Sequence, residues 1–163
     1  VGIVDKGYIE VGYFYGSGKP KNIIVASTQV GCPAACSFCE LGNQPFVRNL
    51  SAQEMYEQVI LMLKQAQSSG HNLETVNHKI SWSKSGDPLF NPDYVKGLEE
   101  LSEFRYSHKF STVFPGGRKS QDLFKAAADF AAGYQAPIQV QISLISTSET
   151  YRQQTAGIKT ASF

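Results

Sequence analysis

Cys32, Cys36 and Cys39 stand in the run Gly31-Cys32-Pro33-Ala34-Ala35-Cys36-Ser37-Phe38-Cys39, and the 163 residues hold no other cysteine. Thiols spaced C-x3-C-x2-C can reach one small inorganic centre from a single loop, and thiolates are the ligands of iron–sulfur clusters. Three of them hold three irons of a 4Fe–4S cubane and leave the fourth open. An open iron can take the amino and carboxylate groups of S-adenosylmethionine. An electron from the cluster then splits the sulfonium and yields a 5′-deoxyadenosyl radical, with the protein orienting and shielding that chemistry. A zinc site is the competing reading, and its fourth ligand would have to come from His71, His78 or His108. None of these has zinc-finger spacing to the cysteines, and structural zinc loops favour two C-x2-C pairs where this chain has one. An odd, clustered set of cysteines forms no disulfide framework and points to metal ligation in a reducing compartment, which makes the cytoplasm the expected location.

The elements that must position this loop follow from residue periodicity. Tyr8 to Tyr15 is rich in β-branched and aromatic residues, and Gly16-Ser17-Gly18 supplies a turn. The apolar run Ile23-Ile24-Val25-Ala26 then completes a β-hairpin, reads as a buried strand and leads into the cysteines. Ser51 and Glu54 have capping-box spacing at the head of a helix whose inner face is Met55, Val59, Met62, Leu63 and Ala66, with Gly70 as its stop. His78 to Ser83 predicts a strand, followed by the loop Lys84-Ser85-Gly86-Asp87-Pro88. Asn91 and Pro92 are expected to open a second helix with Val95, Leu98, Leu101 and Phe104 inward.

Lys109 to Phe114 predicts a third strand closed by Pro115-Gly116-Gly117, and Ser120 to Ala132 a third helix stopped by Gly133, with Leu123, Phe124, Ala127 and Phe130 buried. Ile138 to Ile145 alternates as a fourth strand, with Ile138, Val140, Ile142 and Leu144 on one face and Gln139, Gln141 and Ser143 on the other. Ser146 to Gln154 begins a further helix, on which Glu149 and Arg152 have pairing distance. Strand and helix alternate through four strands, so the expected fold class is α/β, a partial (β/α) barrel of parallel strands preceded by an N-terminal β-hairpin.

Composition narrows the function classes. A length of 163 residues fits a single domain, with residues 1–20 as a hairpin arm. Hydrophobic residues make up 42% and charged residues 18%, as in ordinary globular chains. A net charge of +1 gives no global field toward nucleic acid or an anionic membrane. No apolar run approaches the ~20 residues that span a bilayer, so no membrane partner is expected. The chain opens Val-Gly-Ile-Val-Asp, without an initiating Met, and is expected to be a segment of a longer one.

From Ser27 to Ser51 the chain reads STQVGCPAACSFCELGNQPFVRNLS. This stretch resembles the core of the radical S-adenosylmethionine methyltransferases that modify ring carbons of adenine in ribosomal and transfer RNA. In that family a Ser-Gln-Val-Gly-Cys-type lead enters the cluster loop, and Arg48-Asn49-Leu50 stands where the family's Arg-Asn-Leu opens the next helix. The resemblance runs over about residues 20 to 155 and is strongest around the cysteines. It implies a 4Fe–4S cluster on Cys32, Cys36 and Cys39, S-adenosylmethionine as cofactor, an RNA substrate, and an electron donor such as flavodoxin or ferredoxin.

The resemblance also assigns cofactor-binding roles. Phe38 stands where an aromatic residue lies beside the adenine. Gly86-Asp87-Pro88 resembles the Gly-Glu-Pro element whose backbone and acid bind the cofactor's amino group, with Asp one methylene shorter than Glu. Asn91 matches the Asn of the family's Glu-Pro-Leu-Leu-Asn run. Ser111 of Ser111-Thr112 and Ser143 of Gln141-Ile142-Ser143-Leu144 match strand-borne hydroxyls for the ribose and carboxylate. Packing, turn formation and polar strand faces explain the same residues without a cofactor. Ile145 replaces the family's His, and the chain lacks the extra cysteines that receive the methyl group and resolve the RNA adduct. The alternatives are therefore a radical enzyme of the same scaffold with another substrate, or a non-catalytic iron–sulfur or zinc module.

Overall fold

The computed structural model describes residues 2–4, 7–16, 21–73 and 77–161. Strands β1 (Gly2–Val4) and β2 (Gly7–Ile9) pair antiparallel as a ribbon of their own. The expected hairpin is formed by β3 (Gly12–Phe14) and β4 (Lys21–Ala26), in register Gly12 to Val25, while Ser17 and Gly18 of its turn lie outside the described residues. Two short strands follow, β5 (Gln29–Val30) and β6 (Arg48–Asn49). The remaining elements are α1 (Ala52–Ser68), β7 (Asn77–Trp82), α2 (Tyr94–Glu100), β8 (Ser107–Thr112), α3 (Arg118–Gly133), β9 (Ile138–Ile142) and α4 (Glu149–Thr155).

The main sheet has the order β3-β4-β7-β8-β9. From β4 to β9 every pairing is parallel, with Ile24 beside Ile80, Trp82 beside Phe110 and Phe110 beside Val140. Each parallel crossover carries a helix. This is the expected partial (β/α) barrel. Strand β4 is less uniformly buried than its apolar run predicts: Ile24 and Ala26 are buried under the helices, while Ile23 and Val25 face the other side and are half-buried. Helix-side packing joins Ile24, Ile80, Trp82 and Phe110 to Met55 and Val59 of α1 and to Tyr94 and Leu98 of α2, all buried. Burying each of the larger side chains is worth about 1.5–3 kcal/mol. The Tyr94 ring also meets Trp82 and Phe110 edge-on, at 5.9 and 5.5 Å between centroids.

Ser51 caps α1 through the complete capping box with Glu54, and Gly70 ends that helix at φ +82. Three expectations need correction. Asn91 and Pro92 precede α2, whose N-cap is Asp93; the Asn91 side chain instead accepts the Asp93 N–H and turns its amide inward. On α3 only Ala127 of the four expected apolar residues is buried, and Leu123, Phe124 and Phe130 are half-buried; Gly133 is the helix's last residue and Tyr134 its C-cap. On β9 the apolar face is largely open, with Val140, Ile142 and Leu144 39–55% exposed. Periodicity identifies two faces but not their coverage, and β9 is the sheet's edge strand with a neighbour on one side only. Among the described residues no helix is long and apolar enough to cross a membrane.

Candidate functional site

Parallel strands deliver their C-terminal ends to one edge of a sheet, where loops rather than ladders satisfy the backbone and ligands bind. At that edge lie the cysteine loop beyond β4, residues 83–88 beyond β7, residues 113–117 beyond β8 and residues 143–148 beyond β9. Gly86-Asp87-Pro88 and Ser143 therefore share an edge with the cysteines, and Ser111 is one residue short of it.

Strands β5 and β6 zip the base of the cysteine loop. Gln29 pairs with Asn49 and Val30 with Arg48, and the Val47 N–H donates to the Val30 carbonyl at 2.9 Å. Just beyond, Arg48 forms a two-pronged ion pair with Glu54 at 2.7 and 2.8 Å, which ties the loop's exit to the start of α1 and holds the Glu54 carboxyl below its ordinary pKa. Gly31 has φ +73, and a Cβ there would strike the Pro45 carbonyl and the backbone of Phe46. Gly42 presses equally close on the Cys36 carbonyl. Helix α4 closes the far side, since Ser37 donates its N–H to the Thr155 carbonyl and the Gly157 N–H donates to that of Ala34, both at 2.8 Å.

On this frame Cys36 is buried, Cys32 is half-buried and Cys39 is exposed. Burial pushes the Cys36 thiol up to about 11, with Cys32, Cys39 and Asp87 adding negative charge nearby. The Cys32 thiol is raised for the same reasons. The three sulfurs thus share one field. Among the described residues, no three Cys, His, Asp or Glu side chains converge tightly enough to hold a metal ion as they stand. The donor set fits an iron–sulfur group: three thiols on one pinned loop, one of them at the surface. It does not fit the zinc alternative as well. His78 meets the Tyr13 hydroxyl at 3.1 Å, His108 accepts from the Trp82 indole, and His71 stacks on Tyr15 at 4.3 Å.

Asp87 is 4% exposed, and both its carboxylate oxygens are engaged by the protein. One accepts the Leu89 N–H at 3.0 Å, and the other accepts the Thr112 hydroxyl and the Val113 N–H, both at 2.9 Å. Burial raises its pKa to about 6 despite these donors. Gly86 before it has φ +100, and a Cβ there would meet Thr28 and Gln29. Pro88 is buried at the head of a short 3-10 turn. Ser143 is half-buried and donates its N–H to the Thr112 carbonyl at 2.8 Å. Ser111 is half-buried, beside Gln141 in register and on the β8 face opposite Thr112. Phe38 is 53% exposed on the loop's outer surface.

Gln29, given no role from the sequence, and Asn91, matched there to the family's Asn and to a helix start, join these loops. Gln29, fully buried, donates its amide to Asn49 at 2.7 Å and accepts the Asp87 N–H at 3.0 Å, so one side chain links the cysteine loop to the Gly86-Asp87-Pro88 loop. The Asn91 amide donates to the carbonyls of Thr28 and Leu50 at 2.7 and 2.8 Å. A Gln beside the apolar Val30 and an Asn after a Pro-containing turn were the available signs.

No family model matches the chain. It is 31% identical over 136 residues, 81% of its length, to a probable dual-specificity RNA methyltransferase RlmN from Alkaliphilus oremlandii, and covers 36% of that protein. It is 43% identical over 77 residues to the Fervidobacterium nodosum protein of the same description, covering 47% of this chain and 20% of that one. The chain thus spans about a fifth to a third of the length of these relatives. Its fold superposes on the crystal structure of a radical SAM methyltransferase from Sphaerobacter thermophilus with a TM-score of 0.72 and 23% identity, over 96% of this chain and 43% of the other. The chain has the fold of a radical S-adenosylmethionine methyltransferase, and in sequence it is a relative of the RNA methyltransferases of that superfamily.

Proposed function

We propose that Cys32, Cys36 and Cys39 hold a 4Fe–4S cluster and that the chain cleaves S-adenosylmethionine reductively in the service of RNA adenine methylation. The observation that carries this reading is the C-x3-C-x2-C loop, zipped at its base by β5 and β6 and set at the C-terminal edge of a parallel sheet. When bound, the cluster would supply the electron that splits the sulfonium. The chain's own part is to hold three thiolates on a rigid loop and to exclude water from Cys36. Gly86, Asp87 and Pro88 form the adjoining wall for the cofactor's polar end. Asp87 uses three of its roughly four acceptor positions on the protein, which leaves one lone pair for an ammonium donor. Ser111, Ser143 and Phe38 contribute hydroxyls and an aromatic face at the same rim. The description of the relatives as RNA methyltransferases supports RNA as the substrate. Flavodoxin or ferredoxin would donate the electron, and the cytoplasm supplies the reducing setting.

All three cysteines of these residues serve the loop, and the chain spans about a fifth to a third of its relatives' length. The second reading is a radical enzyme on the same scaffold acting on another substrate by hydrogen abstraction, and a methyl-accepting cysteine outside these residues would separate the two. Anaerobic reconstitution with iron and sulfide, followed by assay for 5′-deoxyadenosine with dithionite as reductant, tests the part common to both. A brown protein that forms 5′-deoxyadenosine is the expected result. Full iron loading without cofactor cleavage would reduce the chain to an iron–sulfur module.

A further inference from the structure

The face of the main sheet turned away from the helices carries three lysines on adjacent strands, Lys21 on β4, Lys79 on β7 and Lys109 on β8. Strand alternation puts them there, since Ile24, Ile80 and Phe110 pack on the helix side. The Lys79 ammonium reaches over β8 to donate to Gln139 of β9, on the same face. Lys79 and Lys109 are half-buried and Lys21 is exposed. Among the described residues none of the three has an ion-pair partner, and no strand residue on this face is Asp or Glu. Burial, and then the charges of Lys21 and Lys109, hold the Lys79 ammonium below its ordinary pKa, so the cations lie close enough to repel one another. With a net charge of only +1, the chain concentrates positive charge here rather than spreading it. Phe14 of β3 is in register with Ile23, hence on the same face, and is 57% exposed.

We propose that this face carries a single strand of RNA, with the lysines on its phosphates and Phe14 against a base. The proposal rests on the reading of RNA as the substrate. Cations spread over three strands, ~4.8 Å from one strand to the next, match a row of phosphates, and bound phosphates relieve the repulsion among them. A small anion would have no use for the exposed ring, whereas a basic track beside an aromatic platform holds single strands by stacking any base. Lys109 precedes Val113, whose N–H meets Asp87, by about 13 Å of strand at ~3.3 Å per residue. A strand gripped by the lysines can therefore deliver a base to the edge where the cysteine loop stands.

The test uses the 163-residue chain and a fluorescently labelled, unstructured 12-nucleotide RNA, read by anisotropy across a series of salt concentrations. Saturable binding that weakens steeply with salt is expected of the wild type. Lys79→Gln and Lys109→Gln should each bind several-fold more weakly and lower the slope of log affinity against log salt by about 0.7, the loss of one phosphate contact. Their melting temperatures should stay at or slightly above wild type, because each substitution relieves repulsion. Phe14→Ala should weaken binding about tenfold with the salt slope unchanged. Lys96→Gln, exposed on α2, is the control and should bind as wild type does. Wild-type affinity and slope in both lysine variants would overturn the face and leave RNA as the substrate. Displacement of the RNA by inorganic phosphate at constant ionic strength would make this a small-anion site and overturn the proposal. No saturable RNA binding by the wild type would overturn both the face and the RNA reading, while 5′-deoxyadenosine formation would still report on the cluster.

Discussion

The Thr112 hydroxyl donates to the Asp87 carboxylate at 2.9 Å, and the same hydroxyl oxygen accepts the Phe114 N–H at 2.8 Å. One side chain at the end of β8 thereby holds the loop that follows β7 and starts the loop that follows its own strand. Thr112→Val removes the donor and strands the Phe114 N–H. Hydrogen bonds to charged groups are worth ~1.5–3 kcal/mol, so chemical denaturation should show a loss on the order of 2 kcal/mol. A stability within 0.5 kcal/mol of wild type would mean that Asp87 is held by its backbone donors alone.

Asp87→Ala tests the proposed cofactor contact. It removes three accepted hydrogen bonds and the negative charge proposed to meet the cofactor's ammonium group. S-adenosylmethionine should bind about 10- to 100-fold more weakly in calorimetric titration of reconstituted protein, with iron content unchanged. An unchanged dissociation constant at full iron content would leave Asp87 as a strut between two loops.

Gly31→Ala tests the frame of the cysteine loop. At φ +73 the new methyl group would strike the Pro45 carbonyl, a backbone group closed in by the β5–β6 pairing. Both the left-handed conformation and the collision cost energy, roughly 1–3 kcal/mol for the conformation alone. Iron uptake on reconstitution should fall well below wild type while the far-ultraviolet spectrum stays close to it. Wild-type iron content would show that the loop can re-form around the methyl group.

The local elements were legible because each rests on residues close in sequence. The Ser51–Glu54 capping box, the stop at Gly70 and the alternation of four strands with three helices all depend on short spacings. What β9 packs against was not legible, because coverage of Val140 and Ile142 depends on elements distant in sequence. The same limit explains Gln29 and Asn91. Their partners lie 20 to 63 residues away, and a lone amide in a sequence does not declare which carbonyls it will meet. The cysteine spacing stood out because all three thiols of this chain lie on one short loop, from Cys32 to Cys39. The strut role of Asp87 did not, since it needs Thr112 and Val113 of another strand.

Cys36 is the innermost of the three thiols, and its loss should be the most damaging to metal binding. Cys36→Ala leaves two thiolates, which hold a cubane poorly, so most iron should be absent after anaerobic reconstitution. Iron and sulfide assays check this together with the brown absorbance. Retention of wild-type iron would remove the cluster from Cys32, Cys36 and Cys39.

The last expectation concerns pH. The Trp82 indole donates to His108 Nδ1 at 3.3 Å, with the two ring planes 1° apart, and the Tyr134 hydroxyl lies 3.5 Å from Nε2. Accepting from Trp82 fixes a neutral ring with its proton on Nε2, and protonating Nδ1 would break that bond inside the core. Burial accordingly depresses the His108 pKa from 6.5 to about 4. Between those values the unfolded chain binds a proton that the folded chain does not, so stability falls as pH drops through this window and is fully present above it. The full shift corresponds to on the order of 3 kcal/mol. Melting temperatures of the wild type should decline from pH 7 to pH 4. A His108→Leu variant, lower in stability at pH 7 for want of the Trp82 partner, should decline less over the same range. Parallel pH profiles for the two proteins would show that His108 protonates in the folded state without cost.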